Sequence, residues 1–167
     1  MSKFSVRDLT LAAMLAAVYA VLTMALPIPQ YGGVQIRFAE ALTVLPFLFP
    51  AAAPGLALGC LITNLLSPYG PVDIIFGTLA TAVAAWLTAK MPKWYLAALP
   101  PIVVNMLILP PMWAGAEVGA VNGAFWAACG FNALTFAVGE IVACYGLGTL
   151  LLKILPKARI PEGSAAR

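Results

Sequence analysis

The chain has 167 residues, of which 9% are charged and 63% hydrophobic, and its mean hydropathy is +0.99. A soluble domain of this length carries about a quarter charged residues, so the solvent this sequence is composed for is lipid. With no histidine and three widely separated cysteines, Cys60, Cys129 and Cys144, zinc motifs, CxxC redox pairs and histidine-based acid–base chemistry are unsupported, and the isolated thiols read as small packing residues.

A helix crossing a bilayer needs roughly 20 apolar residues, and Pro, Gly and charge clusters divide the chain into six candidates. The first, about 8–26, stops at Pro27 and Pro29, which cannot continue a helix. It carries Ala12, Ala16 and Ala20 at a spacing of four, with Ala13 and Ala17 in a neighbouring row. Such faces admit a second helix closely, either from the same molecule or from another membrane protein. A cleaved signal peptide is the rival reading, since Lys3 and Arg7 precede the apolar run and Thr23-Met24-Ala25 faintly resembles a cleavage site; the run is longer than a usual signal core. The second and third segments, about 37–49 and 54–67, are short and hinge at Pro50 and Pro54-Gly55, so they should tilt or sit partly within the protein. Gly55, Gly59 and Thr63 give the third a smooth face. The fourth, fifth and sixth run about 71–89, 96–114 and 125–152, and the sixth is long enough to project past the membrane.

With the N-terminus inside, Lys3, Arg7, Lys90, Lys93, Lys153, Lys157, Arg159 and Arg167 all fall on the cytoplasmic side, and Arg37 alone falls outside. A five- or seven-span arrangement does not sort the nine Lys and Arg so cleanly. The expected architecture is therefore an all-α integral membrane protein of six transmembrane helices with both ends in the cytoplasm. One membrane domain covers 1–155, and a basic, polar cytoplasmic tail covers 156–167.

Ionisable groups inside lipid need partners or water, and here they gather toward the outer face. Arg37 and Glu40 open the second helix, Asn64 closes the third, Asp73 opens the fourth and Trp113 closes the fifth, while Gln30, Gln35 and Glu117 add polarity to the outer loops. Asn132, Phe136, Glu140 and Cys144 recur every four residues and share a face of the sixth helix. Asn105 lies at the depth of Glu140, and the two suit the floor of one polar pocket opening outward. Asn64 and Asn105 read equally well as interhelical hydrogen-bonding groups, worth about 0.6 kcal/mol on average. An i,i+3 ion pair that closes a helix end accounts for Arg37 and Glu40 as well as ligand contact does. Glu140 has no Lys or Arg near its depth in another helix, which weakens the purely structural reading there.

No GxxxxGK[ST] phosphate loop occurs, so ATP-driven work needs a partner. Two similar halves, frequent in ion-coupled transporters, are not visible, and no cluster of His, Asp or Cys suggests an enzyme. No cofactor, metal or nucleic-acid partner is expected.

The string from Gln35 to Pro46 (QIRFAEALTVLP), then Pro54-Gly55-Leu56-Ala57-Leu58-Gly59-Cys60, with Asn64, Asp73 and Gly139-Glu140-Ile141-Val142-Ala143-Cys144-Tyr145, resembles the QueT family, the queuosine-precursor S components of energy-coupling factor (ECF) transporters. The likeness runs from Leu9 to Leu152. It implies a six-helix bundle of the bacterial cytoplasmic membrane that captures a 7-deazaguanine, such as queuine or an aminomethyl-deazaguanine, at its outer side. The resemblance further implies a separate energising module of one membrane coupling subunit and two ATPases, met through the alanine rows of the first helix: Ala12, Ala13, Ala16, Ala17 and Ala20. Glu40, Asp73 and Glu140 offer acceptors for such a cargo, Arg37, Asn64, Asn105 and Asn132 offer donors, and Phe38 or Trp113 offers a stacking surface. An autonomous secondary transporter or facilitator of a nucleobase-like solute, with Glu140 as its protonated group, is the alternative.

Overall fold

A computed structural model describes residues 5–25, 31 and 35–155. Lys3, the Pro27 and Pro29 stop, Gln30, and the tail with Lys157, Arg159 and Arg167 lie outside the described residues. Helix α1 (Val6–Met24) starts at a capping box, in which the Asp8 N–H donates to Ser5 Oγ at 3.2 Å and the Ser5 N–H to Asp8 Oδ2 at 3.0 Å. A 3-10 helix follows at Phe38–Phe47, then α2 (Ala52–Asn64), a π turn (Asp73–Gly77) running into α3 (Thr78–Thr88), a short 3-10 turn (Trp94–Leu96) and α4 (Leu99–Val118). Gly119 ends α4 in the left-handed conformation at φ 72°, where glycine carries no Cβ penalty. Asn122 caps α5 (Gly123–Glu140) by accepting from the Ala124 and Phe125 N–H groups. A π segment (Ile141–Gly148) and α6 (Thr149–Ile154) continue α5 into one rod of 32 residues. Among the described residues there is no strand.

Among the described residues, three helices are long and apolar enough to cross a membrane: Val6–Met24, Trp94–Val118 and Gly123–Ile154. Phe38–Phe47, Ala52–Asn64 and Asp73–Thr88 are shorter apolar helices. The second and third segments are short as expected; the fourth is shorter than expected. The second also differs in kind, being a 3-10 helix instead of an α-helix. Ten residues are a long run for 3-10 geometry, but its rise of about 2.0 Å per residue lets them cover about 20 Å, against about 15 Å as an α-helix. The segment is buried from Ala39 to Pro46, which is where an element apolar on every side has to lie.

Contacts fix the direction of each segment. A Cβ on Gly55 would collide with the Ala12 carbonyl, and one on Gly59 would lie 2.9 Å from the Ala16 carbonyl oxygen. The two helices therefore advance in step, parallel to each other, with the 3-10 helix returning between them. Ala16 is buried in this seam and Ala12 and Ala20 partly so, whereas Ala13 and Ala17 remain exposed. At one end Leu11, Ala52, Phe49 and Leu155 pack into one cluster, Val44, Ala97, Ala98 and Leu152 into another, and Lys153 lies over the Trp94 ring. Arg7, Lys90, Lys93 and Lys153 all belong to that end. At the other, Asn64, Asp73 and Trp113 meet. Successive segments alternate in direction, and their outward faces carry exposed Leu, Val and Ile.

The glycine notch carries the first prediction. Gly55→Ala forces α1 and α2 apart and should destabilise the protein by about 1–3 kcal/mol, read as a lower melting temperature in detergent. Gly130→Ala, whose Cβ would meet nothing within 4 Å, should leave that temperature unchanged or slightly raised.

Candidate substrate site

All eight residues picked out from the sequence, Arg37, Glu40, Asn64, Asp73, Asn105, Trp113, Asn132 and Glu140, are buried, none more than 7% exposed. They form two clusters, with Asn132 tied to the outer end.

The inner cluster is organised by Glu40. Tyr19, on the α2-facing side of α1, donates its hydroxyl to Glu40 Oε1 at 2.6 Å, and Arg37 Nη1 lies 3.7 Å from the same oxygen. Glu40 Oε2 is buried with no hydrogen-bond partner among the described residues. The Thr43 hydroxyl donates to the Glu40 carbonyl at 2.6 Å. The Cys144 thiol lies 3.4 Å from both that carbonyl and Glu140 Oε2, and its one proton serves either at a time. Asn105 Nδ2 reaches Glu140 Oε1 at 3.5 Å, the outer limit of a hydrogen bond, and Asn105 Oδ1 is left buried without a partner. The pairing of Asn105 with Glu140 follows the sequence reading; the depth of Arg37 and Glu40 does not. Instead of standing with Asn64 and Asp73, they share the cluster of Glu140, joined to it by the Cys144 thiol that lies between the Glu40 carbonyl and Glu140 Oε2. The chain passes Gly139 at Gln35, where a Cβ would strike the Gln35 carbonyl, and Arg37, in extended backbone, leads into the 3-10 helix that holds Glu40. Arg37 thus reaches the same cluster as Glu140 by way of Glu40, from a segment that is not an α-helix.

The outer cluster is organised by Asp73. Trp113 Nε1–H donates to Asp73 Oδ1 at 2.7 Å and the Ser67 hydroxyl to Oδ2. Asn64 Nδ2 donates to the Asp73 carbonyl at 2.8 Å, while its Oδ1 is buried and unpartnered. A Cβ on Gly77 would lie 2.7 Å from Asn64 Nδ2, so that glycine makes the amide's room. The Phe136 ring meets Trp113 edge-on, centroids 5.3 Å apart, and Tyr69 lies 6.1 Å away on a tilt. Above them exposed Glu117 accepts from the Tyr69 hydroxyl at 2.9 Å and from Asn132 Nδ2 at 3.2 Å. Burial, helped by the Glu117 carboxylate, pushes the Tyr69 hydroxyl up to about 12. Between the clusters Tyr31 donates its hydroxyl to the Thr63 carbonyl at 2.7 Å, with the Arg37 guanidinium 5.3 Å from its ring centroid.

Both Asp73 and Glu140 stand where a helix widens to π geometry, at the first residue of one π segment and immediately before the other. Such bulges concentrate at functional sites. Sequence reasoning missed Tyr19, Thr43 and Ser67, treated Cys144 as packing, and left Gln35 in a loop. Gln35 is 3% exposed, with both side-chain amide atoms unpartnered. Tyr19 had one visible signal, a lone tyrosine on the stripe Ala12, Ala16, Tyr19, Thr23.

Residues 9–157 match a family described as QueT transporter. The chain belongs to the QueT transporter family. A curated relative, the queuosine precursor transporter QueT of Lactococcus lactis subsp. cremoris, is 36% identical over 85 residues, half of this chain and half of that protein. No solved structure matches the chain. Membership in a family of transporters, together with helices able to cross a membrane, makes this QueT-family chain a membrane protein and agrees with the expectation that it is not an enzyme.

Tyr19→Phe removes the donor to Glu40 Oε1 and leaves a buried carboxylate less satisfied. It should cost about 1–3 kcal/mol, measurable as a lowered melting temperature in detergent.

Proposed function

We propose that this protein is the substrate-binding membrane subunit of a micronutrient importer that captures a queuosine precursor or salvage product of the 7-deazaguanine class from outside the cell. The observation that carries this reading is the inner cluster, where Glu40 Oε2 and Asn105 Oδ1 are desolvated with no protein partner beside the second carboxylate of Glu140. Leaving such atoms unpaired costs roughly 1–3 kcal/mol each, a cost that a ligand rich in N–H donors removes. A deazaguanine presents adjacent ring and amino N–H groups to carboxylates, and an aminomethyl substituent adds a cation where Glu40, Glu140 and Asp73 outnumber Arg37. Trp113 and half-buried Phe38 offer aromatic surface for its ring. The name of the Lactococcus relative supports the same cargo.

The reading extends to topology and partners. Six segments alternate in direction and gather Arg7, Lys90, Lys93 and Lys153 at one end, which supports a chain that crosses the bacterial cytoplasmic membrane six times with both termini inside. Ala13 and Ala17, exposed beside the α1–α2 seam, are the part of the alanine rows left for a membrane coupling subunit and its two ATPases, with Ala12, Ala16 and Ala20 setting the seam behind them.

Purified protein in nanodiscs should bind aminomethyl-deazaguanine or queuine by calorimetry, and Glu140→Gln should weaken binding at least about tenfold. Folded protein that binds no 7-deazaguanine removes the substrate assignment. Uptake driven by a pH gradient in proteoliposomes without ATPases would favour autonomous transport. In intact cells, Lys90 and Lys93 should resist a membrane-impermeant amine reagent that modifies them in inverted vesicles.

A further inference from the structure

Gln35 is buried, and among the described residues neither end of its side-chain amide has a partner: Nε2 and Oε1 are each bonded to nothing. Arg37 has extended backbone, a geometry that turns successive residues to opposite sides. The exposures agree, with Gln35 and Arg37 buried and Ile36 45% exposed. The Gln35 carbonyl is pressed against Gly139, the residue before Glu140. The Gln35 backbone is thereby held beside the residue that precedes Glu140, and its buried amide belongs to the residue two before Arg37, which lies 3.7 Å from Glu40.

We infer that Gln35 is the specificity-determining residue of the site, reading a ring lactam, an adjacent C=O and N–H, through two antiparallel hydrogen bonds to its own carboxamide. The inference rests on the deazaguanine reading and deepens it. A carboxamide matches a cis-lactam donor to acceptor and acceptor to donor, whereas Glu40 and Glu140 can only accept when ionised. The carboxylates are therefore suited to the exocyclic amino and aminomethyl groups, and the ring carbonyl, which only a donor can satisfy, falls to Gln35 Nε2. Because both amide atoms are already desolvated in the empty protein, the ligand's two hydrogen bonds form without stripping water from the protein side. A ligand lacking the lactam leaves both atoms unpaired, and sites built to hydrogen-bond a substrate group reject analogues without it strongly.

The test uses the full chain in nanodiscs, titrated with aminomethyl-deazaguanine and with its 6-deoxo analogue, in which the ring carbonyl and adjoining N–H are gone. The native protein should prefer the lactam by at least about tenfold. Gln35→Met, close in volume and apolar, should bring the two affinities within about threefold while melting no lower than the native chain. A Met variant that keeps the discrimination overturns the inference and leaves the proposed function standing. A Met variant that melts lower than the native chain overturns it too, since the amide would then be engaged in the empty protein. Binding of neither ligand by folded native protein removes the inference and the proposed function together.

Discussion

The carboxylate of Glu40 is the constraint from which the rest of the bundle follows. A buried anion is tolerated only where paired and hydrogen-bonded, and Glu40 collects a hydroxyl from α1 through Tyr19 and a guanidinium from its own segment through Arg37. Its backbone carbonyl takes the Thr43 hydroxyl and lies against Cys144 of the long terminal rod. Three parts of the chain distant in sequence are thus fastened at one residue. Only one of its two oxygens is used up, so the fastening leaves a functional atom over.

Glycines supply the steric half of the design. Gly55 and Gly59 let α2 lie against the α1 backbone, Gly77 makes room for the Asn64 amide, and Gly139 admits the 35–37 strand of chain beside Glu140. Gly55, Gly59 and Gly139 admit a neighbouring backbone, and Gly77 admits a polar side chain. The π segments then aim the carboxylates, because a widened turn rotates the residues around it relative to a regular helix. Asp73 and Glu140 point toward other elements from those two places.

Much of this was legible from residue types. The lipid-adapted composition, the boundaries of the long helices and the four-residue stripe Asn132, Phe136, Glu140, Cys144 are periodic features, and the three long helices and that buried stripe carry them directly. The pairing of Asn105 with Glu140 followed from depth counted along two regular helices. Depth failed for Arg37 and Glu40 because the count assumed an α-helical rise beginning at the membrane boundary, whereas the chain runs inward extended and then as a 3-10 helix. Tyr19 was hidden because its partner lies across a segment boundary, where no periodicity connects the two. Gln35 was hidden because three residues of extended chain are too few to show an alternation.

The 3-10 geometry of Phe38–Phe47 also has a mechanical meaning. A 3-10 helix and an α-helix of the same residues differ in rise by about 0.5 Å per residue. Rewinding the ten residues would shorten the segment by about 5 Å, roughly the separation of neighbouring side chains across a helix surface. Since Arg37 and Glu40 stand at one end of that segment and the hinge before Ala52 at the other, the rod that fastens the inner cluster is also a ruler whose length depends on its winding.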